Sequence, residues 1–512
     1  MIKRIISGCL LLMAYHSGAQ QFIGLTTNYY PAIMQLPLNP ALVNNALTGT
    51  EVNIISGNVL AGNNAYQVNG GWLIKGDFEK EAREGYEYAK MNNNQRKRAW
   101  ANVDVMGPAA SFSIKKQYQV GIYTRARAIV NAGNVNTEQF NVYTNENDPQ
   151  YYNHTFNFKK VGGSAHAFGE VGITLGKMLR EDEYYKLSGG VTIKYLIGYA
   201  AINAFAGDLT YQRLGDTAVY ANGDLTALYT YNTVPGQNGD LAQRAGRGGL
   251  GLDIGIQYSY HPYVELDKKD IYLYKIGVSI TDIGSVGYVG DRGSAAYNVN
   301  AAKTDFDQLE FADADQQEFG SFLNRQVAAG RIKVQEDGAK FRVGLPTALR
   351  ANLDYNAGGG LFISVNTLLN MKGSNSSVFR PGYVGYLNVT PRIDLKFFKF
   401  GIPITMMRYR SMNMGAIMYL GPLFLGSNTL ISAVAGQNIS NIDVYTGLAF
   451  KITKREKAPR MRTHDNGYDD AEGGLRRFVP RFLRGGGESK YRKGLICPPG
   501  GIRNNSYKSY YR

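Results

Sequence analysis

The feature that most constrains this chain is an alternation of apolar and polar side chains that recurs between residues 50 and 453. Tyr118 and Val120 share one face of such a segment, whereas Gln119 and Arg125 lie on the other face. A period of two residues is typical of β-strands, because successive side chains point to opposite sides of a sheet. The pattern recurs in the segments 191–199, 252–260, 274–282, 349–356, 391–397 and 444–452. The sequence therefore predicts an all-β fold.

The strand segments favour a transmembrane barrel over a soluble β-sandwich. They run for about 10 to 14 residues, which is the length that a tilted membrane-spanning strand needs. One face is rich in Tyr, Phe, Leu and Ile, and no apolar run of about 18 residues follows the leader, which excludes a helical membrane protein. Because every backbone polar group must pair within a bilayer, such strands have to close on themselves. We predict an outer-membrane β-barrel of about 14 antiparallel strands at 51–453.

The first residues resemble an export signal. Lys3 and Arg4 precede a short apolar core, and the small residues Ser17, Gly18 and Ala19 follow it. This arrangement predicts a signal peptide at 1–19, removed before the mature chain reaches the outer membrane. Lipidation of Cys9 is disfavoured because most of the apolar core follows that residue. Removal of the leader leaves Cys497 as the one thiol, so no intramolecular disulfide is expected.

Two further segments complete the predicted domain organisation. Residues 20–50 are expected to form an N-terminal plug or entry segment inside the barrel. Residues 454–512 carry a net charge of +9 out of the total of +15, and Gly and Pro interrupt them repeatedly. We predict a basic, disordered periplasmic tail there.

Three segments interrupt the strand pattern. The charged segment 77–100 and the segment 305–329 are predicted to be helical, and 131–165 is predicted to be a long loop. The end of the barrel that carries the long connections stays open at this point.

A short N-terminal motif carries a family resemblance. Asn39-Pro40-Ala41 resembles the Asn-Pro-Ala segment of Bacteroidota outer-membrane barrels, a group that includes fatty-acid-transporter-like and type IX secretion accessory barrels. The chain is more similar still to an uncharacterised Bacteroidota barrel family of unknown function. The phrases that carry this second resemblance are Gly107-Pro108, Arg125-Ala126-Arg127, 189–196, 277–284, 345–350, Thr390-Pro391-Arg392 and Gly421-Pro422-Leu423. The resemblance implies the fold and the location, and it implies no activity.

No pattern indicates catalysis or a cofactor. The five His residues, at 16, 154, 166, 261 and 464, are scattered, and no pair has metal-ligand spacing. An acidic cluster at 310–318 lacks the glycine of a calcium loop, so a solvated helix face is the favoured interpretation. We expect a protein that is not an enzyme, with no metal and no cofactor.

The polar face of the strands supplies the candidate lumen residues. The predicted inward cations are Arg125, Arg127, Lys194, Lys275, Arg350, Arg392 and Lys396. The predicted inward acids are Asp253, Asp354 and Asp394. One interpretation is a basic path for anionic solutes. The favoured interpretation is a packed lumen of ion pairs, with the plug residues Asn39, Pro40 and Ala41 also inside.

Two functional hypotheses follow. The first is a channel or transporter for small or amphipathic solutes, by analogy with the fatty-acid-transporter-like barrels. The second is a non-conducting scaffold or accessory subunit of an envelope or secretion complex, docking through its basic tail. Expected partners are outer-membrane lipid, the barrel-assembly machinery and anionic periplasmic or cell-wall partners of the tail. Nucleic acid is not expected for an exported chain.

Overall fold

A computed structural model provides the structure of this protein. It describes residues 32–46, 49–75, 89–90, 95–115, 117–144, 152–214, 218–230, 246–262, 272–291, 293–305, 319–371, 381–395, 398–408 and 412–453. All of these belong to a compact unit spanning residues 1–454. The predicted signal peptide, the basic tail and Lys396 lie outside the described residues.

Strands dominate the described part of the chain. In chain order, the first strands are β1 (Gly49–Asn63), β2 (Tyr66–Asn69), β3 (Ala89–Lys90), β4 (Lys97–Lys115), β5 (Tyr118–Val135), β6 (Thr155–Glu181), β7 (Tyr185–Leu214), β8 (Ala218–Tyr229), β9 (Gly246–Tyr260), β10 (Tyr274–Val289), β11 (Ala295–Asp305) and β12 (Ile332–Asp337). The later strands are β13 (Lys340–Gly344), β14 (Ala348–Gly358), β15 (Leu361–Asn370), β16 (Tyr386–Asp394), β17 (Phe398–Gly401), β18 (Ile404–Met407), β19 (Met412–Met414), β20 (Ala416–Leu420), β21 (Leu423–Ser427), β22 (Asn438–Ile439) and β23 (Asn441–Thr453).

The helices are few and short. Four α-helices are described: α1 (Gly70–Lys75), α2 (Thr137–Thr144), α3 (Phe319–Ala328) and α4 (Leu430–Val434). Two 3-10 helices, Ala32–Gln35 and Pro40–Ala46, precede the first strand. None of the described helices is long and apolar enough to cross a membrane.

The strands close into a barrel of fourteen antiparallel members, as the sequence predicts. The hydrogen-bonded path runs from β1 through β4, β5, β6, β7, β9 and β10, and then through β14, β15 and β16. It continues through the shorter strands β17 to β21 and reaches β23. β23 pairs with β1 over almost the full length of both strands, from Gly49 opposite Thr453 to Gly62 opposite Asn441. This pairing removes the sheet edge, so the backbone groups of both terminal strands are satisfied.

The outer surface is the apolar face. Ile193 on β7 is 63% exposed, whereas its chain neighbours Thr192 and Lys194 are 0% exposed. The same alternation puts Ile173 outside and Thr174 inside on β6. An apolar outer belt around a closed strand cylinder is the arrangement that a lipid bilayer requires. The fold is thus an outer-membrane-type β-barrel, and the predicted fold class is confirmed.

The connections divide between the two ends of the barrel. The described turn residues 117, 182–184, 359–360, 395 and 421–422 occupy one end, together with residues 49 and 453. The longer connection between β9 and β10 also starts and ends there, at 261–262 and 272–273. We call this the turn end. The described parts of four connections, 64–75, 136–144 with 152–154, 381–385 and 428–440, lie at the opposite, loop end. In bacterial barrels the short turns face the periplasm, so β1 rises from that side.

The sheet continues beyond the barrel at the loop end. β6 and β7 have 27 and 30 residues, more than a bilayer requires. Their extra length pairs onward with β8, then β11 and β12, and α3 packs on this extension. The extension therefore has its own apolar cluster, separate from the barrel interior.

Three predicted segments differ from the structure in part. Residues 97–100 begin β4, so the helix predicted for 77–100 is wrong at its C-terminal end, and most of that segment lies outside the described residues. The helix predicted for 305–329 is present as α3 at 319–328. The loop predicted for 131–165 is wrong at both ends, which belong to β5 and β6 and flank α2. Asn- and Gly-rich strand ends lack the apolar residues that would have marked them as strands.

Candidate functional site in the barrel interior

A segment before β1 packs against the inner wall. Residues 32–46, which we call the inner segment, contact the strands β1, β4, β5, β6, β7 and β9. Ile33, Leu36 and Val43 are 0% exposed and join an apolar cluster with Tyr123 on β5. The predicted plug residues thus lie inside the barrel, and their role in closing it stays a prediction.

Side-chain hydrogen bonds attach the inner segment to the wall. Asn39 donates from Nδ2 to the Ile256 carbonyl at 3.2 Å, and its Oδ1 accepts the Ala41 amide at 3.0 Å. The Ser279 hydroxyl donates to the Leu38 carbonyl at 2.6 Å. An Asn that caps its own turn and also reaches the wall explains why Asn precedes Pro40 here.

Five inward-facing glycines make room for the inner segment. Gly121, Gly176, Gly190, Gly255 and Gly277 lie on five successive wall strands. A Cβ added at any of them would come within 3.0 Å of an atom of the inner segment. Ordinary Cβ contacts are longer than this, so only glycine leaves enough space for the inner segment at these five wall positions. We call these residues the glycine seat.

A group of seven charged side chains lies at the middle of the barrel. This central charge cluster consists of Arg125, Arg127, Lys194, Asp104, Glu170, Asp253 and Asp282. Every member has an exposed fraction of 4% or less. Three cations thus face four carboxylates in a buried group.

The pairing within the central charge cluster is specific. Arg125 binds Asp104 with two guanidinium nitrogens, through Nε at 2.6 Å and through Nη2, and reaches Glu170 at 2.9 Å. Arg127 binds both oxygens of Asp282 at 2.9 and 3.1 Å. Two-pronged pairing of this kind holds a guanidinium in one orientation.

Lys194 closes the central charge cluster. Its Nζ lies 2.8 Å from Asp253 and 2.7 Å from Asp282. Asp253 also accepts the backbone amide of Asp282 at 2.7 Å. All three predicted cations of this region are therefore matched by carboxylates, and none of these cations is left for an anionic solute in this structure.

The loop end contributes a tyrosine to the same cluster. Tyr383, in the connection between β15 and β16, donates its hydroxyl to Asp282 at 2.5 Å and contacts Arg127. Its chain neighbour Gly382 donates its amide to the Asn131 side chain at 3.0 Å. The described residues 381–385 of this connection therefore lie in the interior and contact β5.

A second charged group lies near the turn end. Arg392 binds both oxygens of Asp354 at 2.7 and 2.9 Å, and its Nε lies 3.3 Å from Asp394. Lys399, which the sequence analysis did not single out, lies 3.9 Å from Asp394. Lys275 places its ammonium 4.0 Å from the ring centre of Tyr272. Four of the predicted residues are therefore brought together here.

Arg350 stands apart from both charged groups. It lies on β14 with an exposed fraction of 6%, and its Nε donates to the Thr281 hydroxyl at 3.1 Å. Its guanidinium lies 5.3 Å from the Tyr383 ring centre. Within the described residues, no carboxylate lies within 4.0 Å of it.

The interior is less basic than the sequence predicts. Four inward acids, Glu51, Asp104, Glu170 and Asp282, were missed, and they equal the predicted excess of seven cations over three acids. Glu170 alternates with the outward Val171, so its parity could have revealed it. Asp282 could not be found this way, because it lies at a bulge of β10 with φ +61°. Among the described residues, no group of three His, Cys, Asp or Glu is arranged to hold a metal.

Comparisons with solved structures returned bacterial barrels of low similarity. A TodX mutant described as a monoaromatic hydrocarbon channel has a TM-score of 0.41 and 10% identity, covering 86% of this chain and 98% of that chain. The Ralstonia pickettii toluene transporter TbuX has a TM-score of 0.34 and 9% identity, covering 84% and 100%. The translocator domain of the autotransporter NalP from Neisseria meningitidis has a TM-score of 0.29 and 7% identity, covering 79% and 89%.

A search of curated proteins found no match. Residues 40–428 match the description "Family of unknown function (DUF5723)". Since that match covers well over half of the chain, the protein belongs to this family.

Proposed function

We propose that this barrel is a gated transporter for small or amphipathic solutes, closed in the conformation described here. The inner segment closes the turn-end half of the interior, and the Tyr383 connection closes the loop-end half. Between them lies the central charge cluster, in which cations and carboxylates satisfy each other. Passage through the lumen then requires the inner segment to leave its place.

The glycine seat is the observation that carries this proposal. A permanently packed core would fill the wall with side chains, since native interiors gain stability from close packing. Five wall strands instead present bare backbone to a separate segment, which is held mainly by apolar contact and a few hydrogen bonds. A segment seated in this way can be released without breaking the wall.

Substitution of one glycine of the seat tests the gate. Gly190→Ala places a methyl group against the backbone of Pro40 and Ala41, so the inner segment must shift. We expect at least a tenfold rise in the frequency of open events in a planar bilayer, compared with the unmodified barrel. A variant lacking residues 21–50 should conduct persistently.

Gly57→Ala is the matched control, because its Cβ would meet ordinary van der Waals contact at 3.9 Å. It should behave as the unmodified protein. Folding of each variant is checked by the heat-dependent gel mobility typical of closed barrels. If neither the Gly190→Ala barrel nor the truncated barrel conducts, although both are folded, the gated transporter is rejected.

A second candidate function is a non-conducting scaffold that docks through the basic segment 454–512. The observation in its favour is the pairing of every cation of the central charge cluster with carboxylates, which leaves no cation there for an anionic solute. The scaffold hypothesis predicts that no variant conducts. It also predicts that an envelope partner is lost when residues 454–512 are removed. Co-purification from membranes of the full and truncated chains measures that loss.

A further inference from the structure

Arg350 has an unusual electrostatic position in the interior. The other interior arginines, Arg125, Arg127 and Arg392, each bind at least one carboxylate with two nitrogens or reach two carboxylates. Arg350 is just as buried, yet its described polar partners are the hydroxyls of Thr281 and Tyr386, neither of which is a carboxylate. Its Nη2 atom is buried and has no hydrogen-bond partner. A buried guanidinium without a matching anion is unfavourable, so an anion that reaches it is strongly stabilised.

Apolar side chains surround this cation. Ala348 lies two residues before Arg350 on the same face, and Leu368 lies opposite it on β15. Both belong to an apolar cluster that spans several strands and the Tyr383 connection. Its members are Leu60, Trp100, Ala348, Leu368, Tyr383, Val384, Tyr386 and Met407. A single positive charge is thus set into a largely apolar environment.

We infer that Arg350 and this apolar cluster form a binding site for an organic anion with one carboxylate and an apolar body. This inference rests on the proposed function and specifies the solute class. The guanidinium fork matches the planar carboxylate, and the free Nη2 offers the donor that the protein leaves unused. One unmatched cation favours a monovalent head, and the aliphatic and aromatic neighbours favour a hydrocarbon body.

One side of this site can rearrange. Tyr383 and Val384 come from the connection between β15 and β16, so neither takes part in the backbone pairing of the barrel wall. Tyr383 is attached to the wall through its hydroxyl, which bonds to Asp282 and Arg127. Movement of these two side chains opens the cluster without loss of strand pairing, at the cost of the Tyr383 hydroxyl bonds to Asp282 and Arg127. A ligand carboxylate would take the place of the Tyr383 ring beside the Arg350 guanidinium.

Trp100 supplies a reporter, because it belongs to the same cluster and the chain has only 2 Trp. With Trp72→Phe as background, 8-bromooctanoate is titrated into the full-length purified barrel and quenching of Trp100 fluorescence is followed. We expect saturable quenching. Arg350→Gln should weaken the apparent affinity at least tenfold, and 8-bromooctanol, which has no charge, should bind both proteins within twofold.

Two further variants keep the test decisive. Arg342→Gln makes the same change on the exposed face of the neighbouring strand β13 and should leave the affinity unchanged. Arg350→Lys keeps the charge and should lose less affinity than Arg350→Gln. Equal bromooctanoate affinity in the unmodified and Arg350→Gln barrels would overturn the site, as would the absence of saturable quenching. If Arg350→Gln fails to fold, equal affinity of the unmodified barrel for bromooctanoate and bromooctanol would overturn it.

The binding test is independent of passage. Charge-selective binding by a barrel that never conducts would keep the site and reject the transporter. Conduction without charge-selective binding would keep the transporter and reject the site.

Discussion

At the scale of single residues, Asp282 is the side chain on which the interior depends most. It binds Arg127 with both oxygens, contacts Lys194 and accepts the Tyr383 hydroxyl. Strict alternation would place it on the lipid face with Ile276 and Val278. The bulge in β10 and a positive φ at this residue turn it inward instead. One local irregularity thus supplies the carboxylate that joins two cations to a loop.

Loss of this carboxylate should destabilise the barrel strongly. Asp282→Asn removes a charge from a buried cluster and leaves Arg127 and Lys194 partly unmatched, which costs about 3 to 5 kcal/mol. Urea unfolding of the barrel in lipid vesicles measures the change. Asp224→Asn, on the exposed face of β8, should change stability by less than about 0.5 kcal/mol. Equal effects of the two substitutions would show that Asp282 has no special role.

At the scale of elements, the inner segment and the glycine seat form a matched pair. Gly176 lies against Val43, and Gly121 lies against Leu36 and Val43. Glycine within a strand weakens that strand, so the five glycines of the seat are explained only by the close approach of the inner segment. The complementarity therefore records a packing requirement between two elements that are far apart in the chain.

A disulfide between these two elements should hold the gate shut. An ideal Cβ at residue 176 would overlap a methyl group of Val43, which brings the two Cβ atoms into disulfide range. In a Cys497→Ser background, Val43→Cys with Gly176→Cys should conduct less when oxidised than when reduced, by at least tenfold. Each single cysteine variant serves as a control, since it cannot form the bond. Identical conductance before and after reduction would place the gate elsewhere.

At the scale of the whole molecule, the barrel presents two opposite surfaces along every wall strand. Its outer belt is apolar, and its interior is polar, charged or filled by the inner segment. Ile193 and Lys194 are adjacent in sequence, yet one faces lipid and the other makes two buried ion pairs. This separation follows from the strand period and from closure of the sheet.

A charge placed on the outer belt tests this orientation. Ile193→Arg should lower the unfolding free energy in a bilayer by about 2 to 4 kcal/mol, the cost typical of a basic residue at the lipid face near the midplane. Asn222→Arg, on the exposed face of the extension, should leave it nearly unchanged. The same pair measured in detergent should differ less. Equal stability of both variants in lipid would mean that the belt does not contact hydrocarbon.

Much of the fold follows from local pattern. The strand period, the strand lengths and the export signal predict a barrel of about 14 strands, and the structure contains fourteen. The same parity places Arg125, Arg127, Lys194 and Asp253 on the inner face. The alternation rule failed at the loop ends of β5 and β6. Asn and Gly replace the apolar residues there, so apolar and polar positions no longer alternate.

By itself, then, the sequence determined the β architecture, the apolar exterior and which strand residues point inward, because side-chain direction in a strand depends only on the two-residue period. Tertiary structure alone decided which charges meet. The pairing of Arg127 with Asp282, 155 residues apart, needs a bulge and a closed barrel. The seat of five glycines is likewise visible only once residues 32–46 lie against the wall. Contacts of this kind depend on register and closure, which no local pattern encodes.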